Sequence, residues 1–167
     1  DAISVVVNGA GGNENYRLTT GTSGKSAPFN GTVAGWGRGD KTLYAFYPYN
    51  SKAYAVASGD TPESATATLT LPHSQSYTVG GAVSNSLLVG LGTATAEGGN
   101  INAAAGMKQV MSIIKLNINN VPADAKVARV KLMCDEAVFP TTATVKLSDA
   151  TITNLGAEVK ELTMNVA

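Results

Sequence analysis

The strongest constraint in this sequence is a two-residue rhythm of apolar and polar side chains, repeated in short stretches and broken each time by glycine or proline. Side chains of an extended chain point to alternate faces, so this rhythm marks strands with one face buried. Ile114, Leu116 and Ile118 interleaved with Lys115, Asn117 and Asn119 form its cleanest instance and predict a half-buried strand. The same pattern runs through Ala65, Ala67, Leu69 and Leu71, through Ala128, Val130, Leu132 and Cys134, and through Leu162, Met164 and Val166. Ile3, Val5 and Val7 repeat it more weakly, as do Val145, Leu147 and Ile152. Leu43 to Tyr47 and Leu87 to Leu91 are apolar on both faces and predict central strands covered on two sides.

Glycine and proline clusters separate these stretches, among them Gly9 to Gly12, Gly21 to Gly24, Gly80-Gly81, Gly98-Gly99 and Val121-Pro122. The one helical candidate, Ala103 to Met111, is short and weakened by Gly106. Parallel strands need crossovers, usually helical, so about eight to ten short strands without long helices predict an all-β sandwich. A chain of 167 residues is long enough to bury one core, and residues 1–167 are read as a single domain.

Composition narrows the function. Lys plus Arg and Asp plus Glu are 12 each, with no basic cluster, so nothing here attracts nucleic acid. Charged residues are only 14%, leaving Ser, Thr, Asn and Gly to cover the surface. Cys134 is the single cysteine: it allows no intrachain disulfide, and its alternating position predicts a small buried side chain. His73 is the single histidine, in a Leu71-Pro72-His73-Ser74-Gln75 stretch that reads as surface loop, with no partner identified for a catalytic triad. The expectation is therefore no enzyme, no cofactor and no metal. No apolar run reaches the roughly eighteen residues of a membrane span, and Asp1-Ala2-Ile3 lacks the features of an export signal, which is expected to have been removed.

Three short motifs carry less than they promise. Gly24-Lys25-Ser26 resembles the end of a phosphate loop, but Thr19 stands where the first glycine belongs and Pro28 opposes a following helix. Gly35, Gly37 and Gly39 alternate without the strand and helix that dinucleotide binding requires. Arg38-Gly39-Asp40 is a tripeptide that adhesive loops present to integrins, built here from common residues. Trp36, Tyr47, Tyr49 and Tyr54 are candidates for stacking on sugar rings. The competing reading places most of these aromatics in the core, because Tyr44 and Phe46 share one face of the strand and Tyr47 and Tyr49 the other.

Leu43-Tyr44-Ala45-Phe46-Tyr47-Pro48-Tyr49 resembles the aromatic strand end of the first domain of fimbrillin-type proteins of Bacteroidales. Leu71 to Gln75 looks like that family's Pro-x-x-Gln stretch, Leu87 to Gly90 like its double-leucine strand, and Met111 to Ile118 and Lys126 to Leu132 like the two strands that follow. The likeness covers residues 36 to 135, and Met107-Lys108-Gln109-Val110 departs from the Phe-x-His of many relatives. It implies a transthyretin-like Greek-key β-sandwich of about seven core strands. It also implies export as a lipoprotein to the outer membrane through a lipid anchor not present in this chain, and a second sandwich domain that the chain does not include.

Such proteins polymerise into fimbriae by strand exchange with other pilin subunits, after a protease removes the first strand. The resemblance then makes Ile3, Val5 and Val7 the removable strand and Arg17 or Lys25 the cleavage position. Leu162, Met164 and Val166 are spaced like a strand to be donated, or equally like an ordinary last strand. The implied function is a structural or accessory subunit, anchor or tip, of a surface fimbria that supports cell adhesion. The alternative is a β-sandwich that binds a glycan or a host ligand through Trp36, Tyr47, Tyr49 and Tyr54.

Overall fold

The computed structural model describes residues 2–7, 15–21, 26–34, 37, 39–50, 54–57, 61–77, 86–97 and 100–166. Their strands, in chain order, are β1 (Ala2–Val7), β2 (Asn15–Thr19), β3 (Lys41–Tyr47), β4 (Val56–Ala57), β5 (Thr66–Thr70), β6 (Ser74–Tyr77) and β7 (Leu88–Glu97). These are followed by β8 (Asn100–Gln109), β9 (Arg129–Met133), β10 (Phe139–Pro140), β11 (Thr142–Lys146), β12 (Ile152–Leu155), β13 (Glu158–Val159) and β14 (Glu161–Val166). One 3-10 turn, Pro62–Ser64, leads into β5 and is closed by reciprocal hydrogen bonds between Thr61 and Ser64. The protein is all-β.

Two sheets make the sandwich. A five-stranded sheet runs β2-β1-β3-β7-β8, and a four-stranded sheet runs β12-β11-β5-β4. Val6, Tyr44, Phe46 and Val89 from the first meet Ala67, Leu69, Ala143 and Val145 from the second, and Leu147 just after β11, in a closed core. Even-numbered residues of β1 and β3 enter this core; the odd-numbered ones, Ile3, Val5, Val7, Leu43 and Ala45, form a second core on the opposite face. Phe29 and Val33 of the 26–34 segment cover that face, with Tyr16 and Leu18 of β2. Strands β1 and β3 are thus buried on both sides, which explains why Leu43 to Tyr47 reads as continuously apolar.

The remaining sheets are smaller. β10 and β13 pair with each other, and β6-β14-β9 is a three-stranded sheet, parallel between β6 and β14 and antiparallel between β14 and β9. Its register sets Val130 opposite Met164 and Leu132 opposite Leu162, so these apolar side chains share one face. Neither core includes them.

Three expectations are corrected. Ala103 to Met111 is not helical: residues up to Gln109 are β8, paired residue for residue with β7 from Leu88↔Gln109 to Glu97↔Asn100. Its run of alanines and Gly106 hides the alternation that would have marked it as a strand. Ile114, Leu116 and Ile118 belong to no strand and are exposed: among the described residues no strand pairs with them to complete a ladder. Cys134 is exposed rather than buried. It continues the Val130 and Leu132 side of β9, which among the described residues joins neither core, while its backbone N–H donates to the Lys160 carbonyl.

Candidate functional site

The candidate site is the second face of the five-stranded sheet around β1, the strand between β2 and β3. β1 is held by two ladders, five residue pairs with β2 from Ala2↔Thr19 to Val6↔Asn15 and four with β3 from Ser4↔Phe46 to Val7↔Leu43. A further tie fixes its start. The chain leaves β3 through the Tyr47-Pro48 peptide, and Tyr49 N–H donates to the Ala2 carbonyl at 3.0 Å. The Asn50 N–H donates to Ser4 Oγ at 3.1 Å, and Ser4 is the one fully buried polar residue of the strand. A buried hydroxyl needs such a partner, because leaving it unpaired costs about 1–3 kcal/mol.

Above this sheet lies a cavity of about 1300 Å³ between the strands and the 26–34 segment. Ile3, Val5, Tyr47, Phe29, Ala105 and Met107 are among the residues that line it. On the same face, Gly90 stands opposite Met107 and Gly92 opposite Ala105, so two positions in the sheet floor carry no side chain. Those glycines are required by close approach: a Cβ on Gly92 would collide with the Ala104 carbonyl oxygen, and one on Gly90 would come within 2.9 Å of the Gly106 carbonyl.

The residues singled out in the sequence are placed as follows. Ile3, Val5 and Val7 are buried in the second core, on a strand paired on both sides. Arg17 is exposed on β2, opposite Ser4, with its guanidinium 5.3 Å from the centre of the Tyr49 ring, a cation–π contact. Beyond it, the outer edge of β2 is capped by a pair of backbone hydrogen bonds between Thr19 and Asn30. Lys25 lies outside the described residues, as do Trp36 and Arg38. Asp40 accepts a hydrogen bond from Thr95 Oγ1 at 2.7 Å. Leu162, Met164 and Val166 are half-buried on β14, the central strand of the three-stranded sheet.

Two of the aromatic candidates, Tyr54 and Tyr47, pack against different cores. Tyr54 stacks on Phe46 with ring centres 4.2 Å apart, and its hydroxyl donates to the Pro48 carbonyl at 2.9 Å. Burial pushes that hydroxyl's pKa up, which keeps it a donor. Tyr47 packs into the second core, on the opposite side of the sheet. His73 is exposed, and its carbonyl accepts from Thr163 N–H. Among the described residues no three His, Cys, Asp or Glu side chains gather as metal ligands would, and no helix is long and apolar enough to cross a membrane.

Sequence reasoning missed the Ser4–Asn50 clamp and the cover provided by Phe29 and Val33. The first leaves no pattern, because one residue of the pair contributes only its backbone. The second carried a faint signal, two large apolar residues in a stretch otherwise read as loop. Comparison with family models, with curated proteins and with solved structures gave no match.

Proposed function

We propose that the chain is a structural or accessory subunit of a bacterial surface fimbria, exported to the cell surface and assembled by exchange of β-strands in support of cell adhesion. The observation that carries this reading is the position of β1. It is the only connection between β2 and β3 in the sheet, and its side chains enter both cores. Each of its buried Ile and Val side chains contributes roughly 1.5–3 kcal/mol. Loss of β1 would leave an unpaired β3 edge beside a two-sided apolar groove, and such a groove accepts another alternating strand: the backbone ladder supplies affinity, the alternate pockets register. Arg17 offers a basic cleavage position whose side chain is exposed on β2.

The test is limited digestion with a trypsin-like protease, followed by sequencing of the new N-terminus and electrophoresis in denaturant without boiling. A cut after Arg17 or Lys25 and a ladder of slowly dissociating oligomers are expected. A folded protein that resists cleavage ahead of residue 30 counts against the proposal.

A further inference from the structure

Among the described residues, 113–118 combines the pattern of a strand with the absence of any partner strand. Ile113, Ile114, Leu116 and Ile118 are each more than half exposed, Ile114 the most at 68%. Isolated apolar residues on a surface need no explanation, but an alternating set on one continuous segment has the pattern of a strand face without a sheet.

The structure also holds an edge of matching kind. β8 is the outer strand of the five-stranded sheet, ten residues long, with Lys108 as its only charge and no proline. Natural edge strands are usually short, charged or broken by proline, which prevents another strand from adding to them. β8 has none of these protections over Asn100 to Met107.

The segment cannot reach this edge in its own copy. Val110 and Met111 pack against the sandwich core, and Val110 N–H donates to the Leu87 carbonyl. Ser112 alone is then left to reverse the chain, whereas the tightest common hairpins use about two residues. The edge of β9 is a poorer acceptor on charge. With Ile114, Leu116 and Ile118 on the side of Val130 and Leu132, Lys115 would join Arg129 and Lys131 on the other side, where Glu161 balances one of the two and the remaining like charges repel across strands. On β8 the same orientation sets Ile114, Leu116 and Ile118 beside Ala103 and Ala105, small residues at the rim of the cavity, and Lys115 among Asn102, Ala104 and Gly106.

We propose that 113–118 of one copy adds as an outer strand to the open edge of β8 in a second copy, its large apolar side chains closing over the small ones at the cavity rim. Donor and acceptor are different surfaces, so the contact is head-to-tail, and each copy carries one of each. It goes beyond exchange at β1 and needs no cleavage, so failure of either leaves the other standing.

The test uses the uncleaved full chain carrying Cys134→Ser, which prevents disulfide-linked dimers. Light scattering on a size-exclusion column is expected to show an average mass that rises with concentration. Leu116→Asp removes the donor and Ala103→Lys blocks the acceptor; both positions are exposed, so both variants are expected to fold, with the circular dichroism of the parent, and to remain single chains. Mixed together, they regain one intact donor and one intact acceptor, and the mixture is expected to form a dimer and nothing larger. Backbone amides of 113–118 are expected to exchange with solvent quickly in dilute protein and slowly in concentrated protein. A parent that stays a single chain at its solubility limit, a mixture that stays monomeric, or amides already protected in dilute protein would each overturn the proposal; the last would mean that the segment pairs within its own chain.

Discussion

The five-stranded sheet and the β6-β14-β9 sheet are built from the same kind of sequence and end in different states. β1 and β14 are both central strands, hydrogen-bonded on either side. Yet Val5, Val6 and Val7 are buried, whereas Leu162 and Met164 are half-buried and Leu132 beside them is exposed. The contrast separates two conditions that are easily merged. A ladder satisfies a strand's backbone; only a facing layer removes its side chains from water. The five-stranded sheet has a facing layer on each side, the four-stranded sheet on one and the 26–34 segment on the other. The three-stranded sheet has its ladders and contributes to neither core.

The largest test of that contrast is a pair of truncations. Phe46→Ala empties the sandwich core and removes the stack on Tyr54, and is expected to cost about 3–5 kcal/mol in urea unfolding. Leu132→Ala is expected to cost less than about 1 kcal/mol. An equal loss in both would mean that the three-stranded sheet is covered in solution, and the contrast would fail.

A second pair probes the close approach of β7 and β8. Gly92→Val drives a side chain into the Ala104 carbonyl and is expected to cost roughly 1–3 kcal/mol, read from the shift in thermal midpoint. Gly106→Val, on the neighbouring strand where a Cβ meets nothing within 4 Å, is expected to be neutral or mildly stabilising through β-propensity. Reversal of that order would show that β7 and β8 are not in the register described.

These pairs also show what was legible in the sequence. Leu43 to Tyr47 and Leu87 to Leu91 announced central strands because both faces carried large apolar groups, and β3 and β7 lie inside the sheet. The all-β class followed from the same alternation. Ala103 to Gln109 hid a strand, since alanine and glycine mark neither face and the pairing with β7 decides its conformation. Ile114 to Ile118 erred in the opposite direction: a strong pattern states which face could be buried and says nothing of whether a partner is in reach. Tyr44 and Phe46 were legible as core residues. The cover by Phe29 and the Ser4–Asn50 clamp were not, because both depend on contacts between distant segments.

The clamp sharpens the comparison at smaller scale. Ser4→Ala removes the acceptor for Asn50 N–H inside the double-sided strand, and is expected to cost about 1–2 kcal/mol in urea unfolding. Thr163→Ala on β14 removes a hydroxyl that donates to Glu161 Oε1 at 2.7 Å on a sheet open to water, and is expected to change stability by less than about 0.5 kcal/mol. A larger loss at Thr163 than at Ser4 would reverse the ranking of the two sheets.

The smallest effect is a dependence on acid. Glu161 is held below its usual 4.5 chiefly by the hydrogen bond from Lys131 Nζ at 2.7 Å, then by Thr163. Asp149, after β11, is held below its usual 3.8 chiefly by the backbone N–H of Thr151. A carboxylate whose folded pKa is depressed stabilises the fold above its unfolded pKa, and that contribution disappears as the pH falls through the folded value. Both groups are exposed and screened, so the loss is slight and shrinks further in salt. It falls on β14 and on the turn before β12, away from the ladders of β1, β3 and β7. Amide exchange followed as the pH is lowered from 5 through 4.5 toward 3.8, and corrected for the intrinsic rate, is expected to loosen Glu161 to Val166 while β3 stays protected. Lys131→Met removes the dominant partner of Glu161 and is expected to flatten that response; a β14 that loosens with acid as before would show that the ion pair does not tie β9 to β14.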